Sequence, residues 1–160
     1  MKKIKLCVFI PLLTFLVPIL YSIEINESVS YKFLFSSSTN ILEIKNDFLF
    51  KCSEKTKIGP FLSLGTSYAY YNKNGSKAHI YGPSFSIGIY LDRMIKENLD
   101  LVACISADCI YASFPTILWG ACELGAKYRL SKNTFLSFGG KILVLNRVDG
   151  GINLNYGVKI

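Results

Sequence analysis

The residues best able to do chemistry are few and scattered. His79 is the sole histidine of the 160-residue chain. A hydrolytic site would need it as a base beside a serine or a bound water, with an acid to orient it. The residue two positions on is Tyr81, and the nearest serines, Ser76 and Ser84, fall in a turn-rich stretch and on the opposite face of a strand. That spacing predicts a rim or loop histidine, not a base. Cys52, Cys104, Cys109 and Cys122 show no metal-ligand spacing, and one histidine completes no cluster. "NKNGSK" and "VDGG" are turn signals with no helix after them, so neither is a phosphate loop. The expectation is a chain without catalytic residues, metal or cofactor.

The remaining chemistry lies in charges set among apolar neighbours at every second position. Glu43, Lys45, Asp47, Asp100, Asp108, Glu123, Lys127, Arg129, Lys141 and Lys159 all occupy the polar parity of such alternating runs. A period of two marks a strand with two unlike faces. Eight runs show it. The apolar faces begin with Val29, Tyr31, Phe33 and Phe35, then Leu42, Ile44, Phe48 and Phe50, and they continue in the same way to Ile152, Leu154, Tyr156, Val158 and Ile160. The opposite faces carry Ser, Gly and the charges. Short polar connections separate the runs, so neighbours should pair as antiparallel hairpins.

The opening "MKKIKLCVFIPLLTFLVPILYS" reads as a secretory signal: three lysines, an apolar Leu6 to Leu20 stretch, and Ser22 before a cleavage point. Fifteen residues holding two prolines fall short of the roughly 20 that a spanning helix needs. The expected organisation is a signal peptide over 1–22 and one domain over 23–160. Without the signal lysines, 15 basic residues face 11 acidic ones, a net charge of +4. No run of Lys or Arg marks a nucleic-acid footprint, so no nucleic-acid partner is expected. Half the chain is apolar, and that surface must go somewhere.

Eight hairpin-linked strands, expected at roughly 9 to 14 residues, form a meander whose two edges vanish when it closes into a barrel. A soluble barrel would turn its apolar face inward, whereas a membrane barrel turns it to lipid. Three features favour lipid. The polar face is rich in Gly and Ser, which suit a crowded lumen. Aromatics gather near strand ends, as in interfacial girdles. The strands match the roughly 9–11 residues that cross a bilayer when tilted. The fold class expected is an all-β, eight-stranded, antiparallel up-and-down transmembrane barrel.

In this pattern the sequence resembles the small eight-stranded bacterial outer-membrane proteins, the class that includes the OmpA membrane domain and OmpX. The resemblance covers 23–160 and rests on pattern, not on a specific motif. It implies an outer-membrane location, lipid as surroundings, and the barrel assembly machinery as a partner. Leu154, Tyr156, Val158 and Ile160 stand where the assembly signal of that class has its alternating apolar residues, with Ile160 in place of the usual terminal aromatic. The ten charges would then face the lumen, as a paired network that plugs it or as an ion path. The functional expectation is a structural or interaction protein with short surface loops and an unknown extracellular or host partner. The alternatives are a narrow channel, a lipid-modifying enzyme and a soluble ligand-binding barrel. The lipid deacylases among such barrels carry His and Ser two apart on one lipid-facing strand, a pairing that His79 and Tyr81 do not make.

Two finer expectations follow. A hairpin centred on Pro115 and Thr116 would set Cys109 opposite Cys122 on the lipid-facing parity. They would then be a disulfide or two free thiols in proximity. Gly125, on the polar parity, should accept Ser with little effect.

Overall fold

The computed structural model describes residues 23–35, 38–73, 76–111, 117–144 and 148–160. The expected signal segment 1–22 and the expected turn at Pro115 and Thr116 lie outside them. Eight strands follow one another: β1 (Ile23–Leu34), β2 (Thr39–Lys51), β3 (Thr56–Lys73), β4 (Ser76–Lys96), β5 (Leu99–Ile110), β6 (Ile117–Arg129), β7 (Thr134–Val144) and β8 (Val148–Lys159). Each pairs antiparallel with its sequence neighbours, and β8 pairs with β1, closing the barrel. The seam runs from Asn26 opposite Lys159 to Leu34 opposite Gly151. The Ile160 amide still donates to the Ile25 carbonyl at 2.9 Å. No ladder edge is left along the wall, which hydrocarbon would make costly.

The alternating pattern sets which way each residue points. Val29, Ile44, Leu64, Ile87, Ile105, Leu124, Phe138 and Leu154 are exposed on the outer wall, while Ser30, Lys45, Ser63, Ser86, Asp108, Glu123, Ser137 and Asn155 are buried inside. Exposed apolar side chains therefore form a continuous belt, with Tyr68, Tyr70, Tyr81 and Tyr111 toward one end. The belt has a polar interruption. Glu27 and Asn46 stand opposite each other on β1 and β2, both on the outward parity.

The strands are longer than their apolar runs. They span 11 to 21 residues, and β3 with β4 form the longest hairpin. "NKNGSK", expected as a turn, and the polar stretch "DRMIKEN" mostly continue the ladder: Asn72 pairs with Lys77, and Asp92 pairs with Val102. Backbone pairing does not end where hydrophobicity does. Beyond the belt, water accepts polar side chains on both faces of a strand, so periodicity fades while hydrogen bonding goes on.

The wall curves tightly, and inward Cβ atoms crowd. At Gly59, beside Pro60, which has no N–H to give a ladder, a Cβ would lie 1.8 Å from the Phe48 carbonyl oxygen. Gly125 faces Gly139 across β6 and β7, and a Cβ there would stand 2.4 Å from the Phe138 carbonyl oxygen and 2.8 Å from Gly139 Cα. The expectation that Ser fits at 125 is therefore corrected. Polarity suits the position but volume does not. Leu124→Arg should cost about 2–4 kcal/mol if it sits near the bilayer midplane. Gly125→Ser should also lower the unfolding midpoint in denaturant, and Leu124→Ile should leave it nearly unchanged. Urea titration of refolded protein in micelles checks all three.

Candidate functional site: the charged lumen

The inward residues build three levels. Near the end opposite the chain termini, Leu34, Ile41, Ile110, Ala121 and Leu143 form a buried apolar cluster. Toward the terminus end, Leu49, Phe61, Tyr90, Val102 and Cys104 form another. Charges fill the space between and below. Unpaired charge cannot persist in such an interior, so each needs an opposite charge or donors aimed at it.

The pairing is mostly across strands. Lys32 Nζ lies 2.5 Å from Glu43 Oε2, and Ser63 donates to the same oxygen at 2.7 Å. Lys32 also faces the charges of Asp108 and Glu123. Lys141 pairs with Asp108, which takes a further bond from Ser106 at 2.7 Å. Lys45 pairs with Asp47 at 3.0 Å, and its ammonium sits over the Tyr90 ring at 3.9 Å and the Phe61 ring at 4.5 Å. Such cation–π contacts strengthen where water is excluded. Lys127 reaches Asp92 at 2.7 Å and lies over Phe135. Arg129 binds Asp100 in a fork, with Nη2 2.7 and 2.8 Å from the two carboxylate oxygens. Glu123 has the Asn153 amide as its hydrogen-bond donor, with the Lys32 and Lys45 charges nearby. At the mouth, Glu24 takes both Lys57 and Lys159.

Nine of the ten charges singled out in the sequence thus lie within this network, and Lys159 sits at its exposed rim, 46% accessible at its side chain. Pattern reading left out four members: Glu24, Lys32, Lys57 and Asp92. All four have the polar parity: Asp92 is one residue past the alternating run that ends at Leu91, Glu24 and Lys57 lie four or five residues before theirs, and Lys32 was already on the right face. Phe61, Tyr90 and Phe135 were also missed, because inward rings beside the outward Leu62, Ile89, Leu91 and Leu136 read as an unbroken apolar run.

The cysteine geometry is a correction. On β5 and β6, Cys109 pairs with Leu118 and Cys122 with Ile105, so the ladder is displaced by four residues from the register expected. Cys109 and Cys122 are both free thiols. A shift by an even number keeps every facing intact, which is why parity alone could not exclude it. Cys52 is exposed in a turn and Cys104 is buried in the lumen. His79 is exposed at the rim. Its Nδ1 lies 2.9 Å from the Tyr68 hydroxyl, and its ring centroid is 5.2 Å from that of Tyr70. That arrangement is an aromatic cluster at the rim.

No family model and no curated protein matches the sequence. Solved structures do match its architecture. The N-terminal β-barrel domain of Pseudomonas aeruginosa OprF aligns with a TM-score of 0.56 at 14% identity, over 86% of this chain and 97% of that one. The Yersinia pestis outer membrane protein Ail aligns with a TM-score of 0.56 at 13% identity, over 86% and 99%. A de novo designed transmembrane β-barrel gives 0.53 at 14%, over 86% and 95%. The fold is that of the small eight-stranded outer-membrane barrels. Together with an outer wall of exposed Val, Ile, Leu, Phe and Tyr, it places the protein in a bacterial outer membrane.

Three measurements test this geometry. Non-reducing peptide mapping should recover Cys109 and Cys122 separately alkylated. A water-soluble maleimide should label Cys52 in the folded barrel and Cys104 only after denaturation. Glu43→Gln, which leaves Lys32 buried beside a neutral amide, should destabilise by about 3–5 kcal/mol in denaturant titration, as when one partner of a buried pair is removed.

Proposed function

We propose that this protein is a non-enzymatic structural and interaction barrel whose lumen is plugged by its own side chains. The observation that carries this reading is the ion-paired layer of Lys32 with Glu43, Lys141 with Asp108 and Lys45 with Asp47 held between two apolar clusters. Opening a water path through it would strip several buried charges of their partners, and rebuilding their solvation inside so narrow a barrel has little room. The interaction role falls to the end opposite the termini. There the β3 and β4 hairpin outruns its neighbours and carries the Tyr68, Tyr70, His79 and Tyr81 rings. Aromatic side chains that remain partly exposed suit contact with a surface partner, and an extracellular one is the natural reading. Lipid surrounds the belt, and Leu154, Tyr156, Val158 and Ile160 present an outward alternation suited to recognition by the barrel assembly machinery.

A second reading is a narrow channel. Buried polar atoms without hydrogen-bond partners, Ser30 Oγ and Asn155 Oδ1, face each other across the β1 and β8 seam and suit ordered water. Planar-bilayer recording separates the two. The plugged barrel should give no discrete conductance steps under conditions where gel mobility shows it folded and heat-modifiable. Reproducible unitary steps, altered by Lys32→Met, would establish the channel.

A further inference from the structure

At the terminus end the lumen opens into a small cavity of about 60 Å³. Its lining includes Asn26 from β1, the ion pairs of Glu24 and Asp100, and residues 131–133 of the turn between β6 and β7. Within it, Glu24 is one carboxylate shared by two lysines, Lys57 and Lys159. Arg129 and Asp100 cancel each other. Lys132 stands exposed on the turn and has no ion pair among the described residues. The local balance is therefore cationic.

A second, independent feature points the same way. Asn26 is only 1% exposed, yet its Nδ2 donates to nothing among the described residues. A buried N–H donor without an acceptor is unfavourable, and native proteins nearly always supply one. Here a buried donor and surplus ammonium groups line the same cavity. Both call for an acceptor carrying negative charge. A cation would meet the wrong sign, and an apolar ligand would leave the Asn26 donor unsatisfied. The cavity has room for a few waters or for one tetrahedral oxyanion.

We propose that this mouth cavity binds a small oxyanion of the phosphate class, with Asn26 Nδ2 as the buried donor and Lys132, Lys57 and Lys159 as the charge. Lysine ammonium groups bind phosphate as point charges, so no fork geometry is required of them. The same phosphate chemistry could come from free phosphate or from the headgroup of an anionic phospholipid.

The test uses the folded barrel in a glucoside detergent, which has no phosphate. Inorganic phosphate is titrated at constant ionic strength, and amide shifts at Asn133, Gly157 and Lys159 are followed by NMR. The expected result is a saturable shift that chloride at equal ionic strength does not produce. Lys132→Gln, on an exposed turn and safe for folding, should raise the half-saturation concentration several-fold. Asn26→Ala should raise it about ten-fold or abolish saturation. A parallel titration with phosphatidylglycerol in bicelles assigns the source. Saturation there at lower concentration, with loss of the response to free phosphate, makes the lipid headgroup the ligand; otherwise the ligand is free phosphate. Absence of a saturable shift with either probe overturns the proposal. So does a response unchanged in both variants while gel mobility shows them folded.

Discussion

Everything in this molecule depends on the pairing of β8 with β1. A sheet in hydrocarbon cannot leave a row of N–H and C=O groups without partners, because no water is there to take them. Closure from Asn26 opposite Lys159 to Leu34 opposite Gly151 removes that penalty at one stroke. It also sets the circumference. Eight strands enclose a space that side chains alone can fill, so the inward residues must be small, or long and paired. The facing glycines Gly125 and Gly139 are where the same curvature leaves no volume for a Cβ.

The charged interior follows from closure. Residues of alternate parity are turned inward whether or not an apolar core would suit them, and charges buried there require partners. Lys32 with Glu43 joins the neighbouring β1 and β2, whereas Lys141 with Asp108 and Lys127 with Asp92 join strands two apart. Lys127 on β6 and Asp92 on β4 tie across β5. Such pairs brace the barrel across its width, while the ladders hold only adjacent strands. Burial makes each pair weak evidence for net stability, but breaking one is costly. The interior is thus less a source of stability than a constraint on which conformations remain available.

Facing was legible in the sequence because it needs only a period of two, which Ser28, Ser30 and Lys32 against Val29, Tyr31 and Phe33 display directly. Register was not. A displacement of four residues moved Cys122 from Cys109 to Ile105 without changing which face either occupies. Strand ends were hidden for a different reason: the hydrophobic signal stops at the edge of the belt, whereas Asn72 and Lys77 still pair beyond it. The partners of the lumen charges were beyond reach as well. Parity says that Lys45 points inward, but the Tyr90 ring beneath its ammonium comes from a strand two further along.

The central claim is that the charged parity lines the lumen and the apolar parity meets lipid. Phe135 and Phe138 test it on one strand, being 5% and 58% exposed and of opposite facing. The chain has a single tryptophan, Trp119, so a Trp119→Phe background can carry a single Trp at either position. Fluorescence is then read in bilayers whose acyl chains are brominated. Strong quenching at Phe138→Trp with almost none at Phe135→Trp is the result this account predicts. Quenching at 135 with protection at 138 would contradict it, turning the barrel inside out.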